Sequence, residues 1–441
     1  MLNSISERRS LHMPAHFGKA LFEYGDIFKL DTTELDVSDN LYNPSGAIKE
    51  AEELLAKSAN VKNAYFLHDG SSAGIRAMLL YVKHLGNKII IPRNSHISIY
   101  NFIASVGLDP VFAKLSFTDD AYPYTPTDNL KETIDNNPDA VAVLITSPDY
   151  YGVCMDIESI ANYIHDHGMI LLCDQAHGAH LNWNKSLHNA GYYGADIFVQ
   201  SAHKSLPCLT SNAWLLNRSA NSELILKCIQ AIQTSSPSFI NMMFMDDARA
   251  YMDEHYDDKK ISNLVSDFEN NLNNFKMSHK LWQKYGFSFD DSRIVIDCNN
   301  SADLVQQELQ SKGIDIEMSD GRRIVCIISQ VSEICKEQLA TLQQILSKID
   351  IPNAVDNKFE FPDAPKRFMK ISDAFFADKE LVELGKAEGR ISGTIAGRYP
   401  PGIPVVAWGE IINSDIIEYL SEYYDKCFGI KNKMINCVME K

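Results

Sequence analysis

The chain has 441 residues, 45% of them hydrophobic and 22% charged, with a formal net charge of -17. That length exceeds one typical domain, so a large and a smaller unit with an ample core are expected. The acidity argues against nucleic acid and anionic membrane surfaces as partners, and favours the approach of a cationic small molecule.

No apolar stretch reaches the roughly 20 residues of a membrane span, and the opening Met-Leu-Asn-Ser-Ile-Ser-Glu-Arg-Arg lacks a signal peptide's apolar segment. A cytoplasmic protein is expected. The nine cysteines are odd in number and include no Cys-x-x-Cys pair, which points to free thiols and to neither a disulfide framework nor a zinc site. No metal is expected.

Residues 1–45 read as an N-terminal arm of mixed character that must pack on something. A helix follows Pro44-Ser45-Gly46, because Ile48, Ala51, Leu54 and Leu55 recur at helical spacing. Ala64 to Leu67 then reads as a strand, His68-Asp69-Gly70-Ser71-Ser72-Ala73-Gly74 as a small-residue turn, and Ile75 to Val82 as a helix. A helix N-terminus carrying hydroxyls, here Ser71 and Ser72, suits a phosphate; a plain turn is the bland alternative.

Four later segments share one pattern, an apolar run of strand length closed by reactive polar residues. Lys88–Ile91 leads to Arg93-Asn94-Ser95-His96, Ala140–Ile145 to Thr146-Ser147-Pro148-Asp149-Tyr150-Tyr151-Gly152, Met169–Cys173 to Asp174-Gln175-Ala176-His177, and Ile197–Val199 to Gln200-Ser201-Ala202-His203-Lys204. Continuous apolar runs separated by helix-sized segments predict a mostly parallel sheet buried on both faces. Ligands of such sheets lie beyond the carboxyl ends of the strands, where all four clusters fall.

Lys204, flanked by the hydroxyls of Ser201 and Ser205, suits a Schiff base with an aldehyde cofactor that also carries a phosphate; pyridoxal phosphate is the candidate. Asp174 is expensive to bury unless it is paired, and a protonated pyridine nitrogen is such a partner. His96 is either a structural histidine or one that stacks on the cofactor ring, and His177 is expected only as a neighbour on the same strand end.

From Leu216 to about Tyr285 the pattern is helical, broken by Gln233-Thr234-Ser235-Ser236-Pro237-Ser238, a run that caps the next helix or offers more phosphate donors. Gly286 stops the preceding helix. Strands at Ile294–Ile296, 313–317 and Ile324–Ile328, with helices at 302–312 and 332–348, predict a small α+β unit. Residues 351–366, with Pro352, Pro362 and Pro365, read as a linker. A helix is expected at Lys379–Lys386, and a rigid corner at Tyr399-Pro400-Pro401-Gly402-Ile403-Pro404. The divisions expected are thus an arm (1–45), a cofactor-binding large domain (46–286) and a smaller C-terminal α+β region (287–441).

Taken in order, Gly-Ser-Ser-Ala-Gly, Arg-Asn-Ser-His, Thr-Ser-Pro-x-Tyr-Tyr-Gly-Val, Asp-Gln-Ala-His, Gln-Ser-Ala-His-Lys, Gln-Thr-Ser-Ser-Pro-Ser and Tyr-Pro-Pro-Gly-Ile-Pro resemble the Orn/Lys/Arg decarboxylase family, from His12-Met13-Pro14 to Trp408-Gly409-Glu410. The resemblance implies a fold-type I pyridoxal phosphate enzyme of α/β class, with a transferase-like large domain, that decarboxylates a basic amino acid (arginine, ornithine or lysine). It further implies that Lys204 is the Schiff-base lysine and that Asp174 pairs with the pyridine nitrogen. Ser71, Ser72 and Ser201 would hold the phosphate, with His96 stacked on the ring and Ala176 under its other face. Lys204, or His203 beside it, would return the proton, and Glu317 would meet the substrate's distal cation. Thr234, Ser235 and Ser236 would reach a neighbouring subunit's site, which implies a homodimer or larger homo-oligomer. Without a receiver-like wing before the arm, the chain looks like the short form used in polyamine biosynthesis.

There are departures. Pro14-Ala15-His16 stands for the family's Pro-Gly-His, Ser392-Gly393-Thr394 for Ser-Ala-Glu or Asn-Ala-Asn, and Ser211-Asn212-Ala213 for Gln-Ala-Ser. They leave two alternatives open: a pyridoxal enzyme of altered outcome, such as oxidative deamination or transamination, and a non-catalytic paralogue.

Overall fold

The computed structural model describes residues 9–22, 25–35, 37–272, 274–349, 361–400 and 402–440. Internal contacts divide the chain into two units, one of residues 1–81, 146–165 and 170–356, the other of residues 82–145, 166–169 and 357–441.

The first unit opens with β1 (Arg9–Leu11), after which Ala15 is fully buried. The helix expected after Gly46 is α1 (Ala47–Ser58); it buries Ile48, Ala51 and Leu55, while Leu54 faces outward. Gly46 has no side chain with which to satisfy the orphan N–H groups of the first turn. Asp39 does so from outside, accepting from the amides of Gly46 at 2.8 Å and Ile48 at 3.0 Å. Next come β2 (Asn63–Leu67) and α2 (Gly70–Leu85), so Ser71 and Ser72 lie in the helix's first turn. A Cβ on Gly74 would sit 2.4 Å from Val199 Cγ2, and only glycine lets this helix lie so close to the strand beneath.

There follow β3 (Lys88–Pro92), α3 (Ile97–Val106), β4 (Asp109–Ala113) and β5 (Ala142–Thr146), which up to Ile145 belong to the second unit. The chain returns to the first unit with β6 (Ile170–Asp174), β7 (Ile197–Gln200), the one-turn helix α4 (Ala202–Ser205) and β8 (Ala213–Asn217). Strand β7 pairs parallel with β6 and antiparallel with β8, and β8 pairs antiparallel with β2. It follows that β2, β6 and β7 run the same way and end at one edge. The helical reading from Leu216 begins too early, since Ala213–Asn217 is a fully buried strand. A buried apolar run of five residues has no period that separates strand from helix, and its pairing partners decide.

The rest of this unit comprises α5 (Phe239–His255), α6 (Asp258–Asn270), β9 (Arg293–Asp297), α7 (Ala302–Ser311), β10 (Ile314–Ile316), β11 (Arg323–Ile327) and α8 (Ser332–Leu346). The elements from β9 onward match the expected strands and helices of the small α+β pattern. Gly286 ends the preceding helical turn in the left-handed conformation, at φ +74°. Strand β9 pairs antiparallel with β11, and Ile294, Ile296, Ile324 and Cys326 meet Val265 and Phe268 of α6 and Leu339 and Leu342 of α8 in one core. The arm's anchor is here, with β1 paired parallel to β10 and Leu11 inside the same core.

In the second unit β3 pairs parallel with both β4 and β5. Sequence reading did not foresee β4, whose Pro110 is tolerated because the strand lies at the sheet edge. Arg93, after β3, is buried against Glu410, with Nη2 2.7 Å from Oε2 and Nε donating to Pro404 O at 3.1 Å. The first residue of one motif and the last residue of the recognised stretch are therefore one ion pair. The helix expected at Lys379–Lys386 is instead β12 (Lys379–Glu383) followed by a 3-10 turn. It pairs antiparallel with β13 (Met434–Val438), a partner some fifty residues away that no local pattern reveals. The proline corner joins antiparallel strands Ala396–Arg398 and Ile403–Val406, with Pro401 outside the described residues, as is most of the expected linker at 351–366. Among the described residues, no helix is long and apolar enough to cross a membrane.

Candidate active site

The common edge of β2, β6 and β7 carries most of the expected site residues. Asp174 ends β6 opposite Val199 of β7, and its carboxylate is 3% exposed. It accepts one hydrogen bond, from the amide of Ala176 at 3.2 Å, and among the described residues it has no cationic side chain as an ion-pair partner. A carboxylate in that position lacks the compensation that burial demands.

Ser201 begins the turn after β7; its Oγ is fully buried and has no hydrogen-bond partner among the described residues. An orphaned hydroxyl at a strand end, with Ser71 and Ser72 on a helix N-terminus at the same edge, is a set of donors of the kind that suits an anion. Lys204 lies in α4, half-buried, with Nζ 3.2 Å from His177 Nε2 and 6.0 Å from the ring centroid of Tyr150. Burial lowers its amine below the ordinary lysine value; the charges of Asp174 and Glu317 oppose that shift and Arg293 adds to it.

His203 Nδ1 bonds the carbonyl of Asn212 at 3.0 Å, and burial pushes its imidazole down to about 4. It is neutral at ordinary pH. The arm folds over this loop, with the amide of Ala15 donating to His203 O at 2.9 Å and the amide of Met13 reaching Glu317 Oε2 at 3.4 Å. Glu317, half-buried just after β10, thus sits where its charge is felt at both Lys204 and Arg293. Ala176 is buried beside Asp174, and its carbonyl accepts from the amide of Ser201 at 3.2 Å.

Beneath these loops lies a fully bonded amide network. Gln200 Nε2 donates to Gln175 Oε1 at 2.7 Å and to Gly178 O at 3.1 Å, while Gln200 Oε1 accepts from Trp214 Nε1 at 2.6 Å. Gln175 Nε2 donates in turn to Ser147 O at 3.2 Å. These bonds tie the turns after β5, β6 and β7 into one rigid frame.

The remaining candidates are His96, Thr234, Ser235 and Ser236. His96 belongs to the second unit, where it is exposed and caps α3, its Nδ1 accepting from the Ser98 amide at 3.2 Å. Thr234, Ser235 and Ser236 are exposed on the loop before α5, which Ser238 caps, and share no hydrogen bond with the Lys204 cluster among the described residues. Sequence reading missed Arg293. An arginine at the head of an otherwise apolar strand was its only signal.

Residues 12–297 match the family described as Orn/Lys/Arg decarboxylase, major domain, and residues 357–428 match its C-terminal domain. The protein YaaO of Bacillus subtilis (strain 168) is 30% identical over 441 residues, covering 93% of this chain and 90% of its own. An arginine decarboxylase of the same organism is 29% identical, covering 91% of this chain and 86% of its own. Among solved structures, the lysine decarboxylase LdcF of Francisella novicida aligns with a TM-score of 0.76 at 18% identity, over 91% of this chain and 73% of that one. A structure described as SPT with PLP internal aldimine aligns at 0.51 with 16% identity, over 68% of this chain and 77% of that one; both likenesses speak to the fold. With most of its length matched to one family, and a lysine and a buried aspartate gathered at one sheet edge, the chain belongs to the Orn/Lys/Arg decarboxylase family, as a pyridoxal phosphate-dependent amino acid decarboxylase of fold-type I architecture.

Proposed function

We propose that the substrate is a basic amino acid, arginine, ornithine or lysine, converted to the corresponding amine with release of CO2. The observation that carries the site assignment is Asp174, a buried carboxylate with no ion-pair partner among the described residues at the same sheet edge as Lys204 and the orphaned Ser201 hydroxyl. A cationic ring nitrogen completes the first, and a phosphate the last.

On this reading Lys204 ties the cofactor through its amine, Asp174 holds the ring nitrogen protonated, and Ser71, Ser72 and Ser201 donate to the phosphate. Ala176 underlies the ring and His96 keeps the stacking role that the family resemblance gives it. When bound, pyridoxal phosphate supplies the sink for the electron pair that CO2 leaves behind. The amide network under the loops holds Asp174 and Lys204 in fixed relation, so little reorganisation accompanies the reaction. Of Lys204 and His203, the lysine is the better placed to return a proton, because the one N–H of the neutral His203 ring is spent on the Asn212 carbonyl. Thr234, Ser235 and Ser236, exposed on this chain, fit donors for a partner subunit's site in a homodimer.

Glu317 faces the ammonium or guanidinium at the far end of the substrate. Its charge already reaches Lys204, and relatives named arginine decarboxylase in two Bacillus species support a cationic substrate. A charge-assisted hydrogen bond contributes about 1.5–3 kcal/mol. Glu317→Gln is therefore expected to lower kcat/KM for the best basic substrate by roughly ten- to a hundredfold, with the cofactor's absorption unchanged. A parent enzyme that prefers an amino acid lacking a distal cation, or a variant that loses nothing, overturns the substrate assignment.

A further inference from the structure

Arg293 opens β9 almost fully enclosed, yet it makes no ion pair among the described residues. Its Nη1 donates to Ser292 Oγ at 2.8 Å and to Ser292 O at 3.3 Å, and its Nη2 donates to His177 Nδ1. A buried cation aimed at an imidazole is costly, and a carboxylate would have satisfied it better. Its placement is itself enforced from behind. Ser292 Oγ donates to Asp290 Oδ2 at 2.6 Å, and Asp290 also bonds the buried His180 Nε2 at 2.8 Å. Burial alone would raise the Asp290 carboxyl, but His180 and then Arg293 hold it down at about 2, so it is a fixed anion behind the guanidinium.

A guanidinium has donors only. The ring nitrogen of His177 that meets Arg293 must therefore accept, and the hydrogen of the neutral ring must be on the other nitrogen, which lies 3.2 Å from Lys204 Nζ. Turning the ring over exchanges the atom names without changing this logic. An ammonium at Lys204 would set N–H against N–H; a neutral amine accepts the bond. The adjacent Arg293 charge also keeps His177 from becoming an imidazolium.

We propose that Arg293 is a positioning residue that locks His177 in the tautomer whose Nε2–H donates to Lys204 Nζ, so that the lysine is held as a neutral amine with a fixed direction. This rests on the reading that Lys204 is the amine that takes the cofactor. A neutral amine has the lone pair needed to attack an aldehyde carbon, and burial beside a second cation is a recognised way to keep it so. The other groups that act on Lys204 are Asp174 and Glu317, whose charges favour the ammonium, and the face of Tyr150. Burial first, and the Arg293 charge with it, act against those two carboxylates.

The test is the ¹⁵N spectrum of imidazole-labelled holoenzyme, with the His177 signals assigned by their loss in His177→Gln. The expected result is one protonated and one bare nitrogen from pH 5.5 to 8.5, that is, a neutral ring throughout. In Arg293→Met the fixed assignment should be lost, with both neutral tautomers contributing to the two ¹⁵N shifts. The pH at which the bound cofactor's visible band changes should rise by roughly one unit, and the acid limb of kcat/KM should move with it. Arg293→Lys, which keeps charge and donor, should restore at least half of the shift. A His177 imidazolium in the parent spectrum at pH 7 overturns the proposal, with no variant needed. So does an Arg293→Met protein that keeps the parental tautomer and the parental band titration. Retention of the band in Lys204→Ala is a different failure, one that removes the cofactor reading itself.

Discussion

Replacing Asp174 by asparagine separates two roles that a buried carboxylate can have. In the protein without cofactor, Asp174 is 3% exposed and accepts one amide hydrogen bond at 3.2 Å, which an asparagine oxygen can also accept. Removing an uncompensated buried charge costs the fold nothing, so the thermal midpoint of the cofactor-free variant should equal or exceed the parent's. With cofactor present the loss is large. Two unit charges about 4 Å apart interact by roughly 4 kcal/mol at an effective dielectric near 20, and at about 1.4 kcal/mol per decade this is about a thousandfold in turnover. The assay is kcat on the best substrate with cofactor saturating, beside melting curves with and without cofactor. An Asp174→Asn enzyme that turns over near the parental rate, or that melts well below the parent without cofactor, would show that the carboxylate serves the core and not the ring.

Shared sites predict complementation: mixing Lys204→Ala with a Ser235→Ala/Ser236→Ala double variant should recover activity through hybrid dimers, up to about a quarter of the parental rate if subunits exchange at random. A protein that stays monomeric while holding cofactor tightly contradicts the shared site. Glu52 is enclosed in α1, where its Oε1 accepts from the Phe66 amide at 2.9 Å, and burial raises its carboxyl to about 8. Because the folded value lies above the unfolded one, the stabilisation is fully present below about pH 4.5 and is lost as pH rises to about 8. Glu52→Gln should flatten the fall in melting temperature over that window and be the more stable protein at pH 8, by ~2–4 kcal/mol; equal slopes would show that Glu52 is not the titrating group.

The strand-end grammar made Lys204, Asp174, Ser71 and Ser72 legible, because a parallel strand must expose its carboxyl end and the residues that follow must turn there. Their convergence on one edge required the pairing of β2, β8, β7 and β6, in which the antiparallel β8 carries no signal of its own. The Arg293–His177 contact joins residues 116 apart in sequence, and no local pattern relates them. Likewise β12 was read as a helix because Glu380 and Val382 turn inward only in the company of β13. The Asp39 cap escaped notice because it reaches α1 from seven residues before Gly46, beyond the usual capping span. Periodicity reports the face an element buries; it does not report which distant strand or charge will cover that face.

The most direct measurement is the product balance of the purified holoenzyme on carboxyl-labelled arginine, ornithine and lysine, following CO2, amine, ammonia and O2 together, with Lys204→Ala as control. The account predicts labelled CO2 and amine in equal amounts from at least one of the three, no ammonia, no O2 uptake, and no product from Lys204→Ala. Ammonia formed with O2 uptake, or no labelled CO2 from any of them, would contradict it.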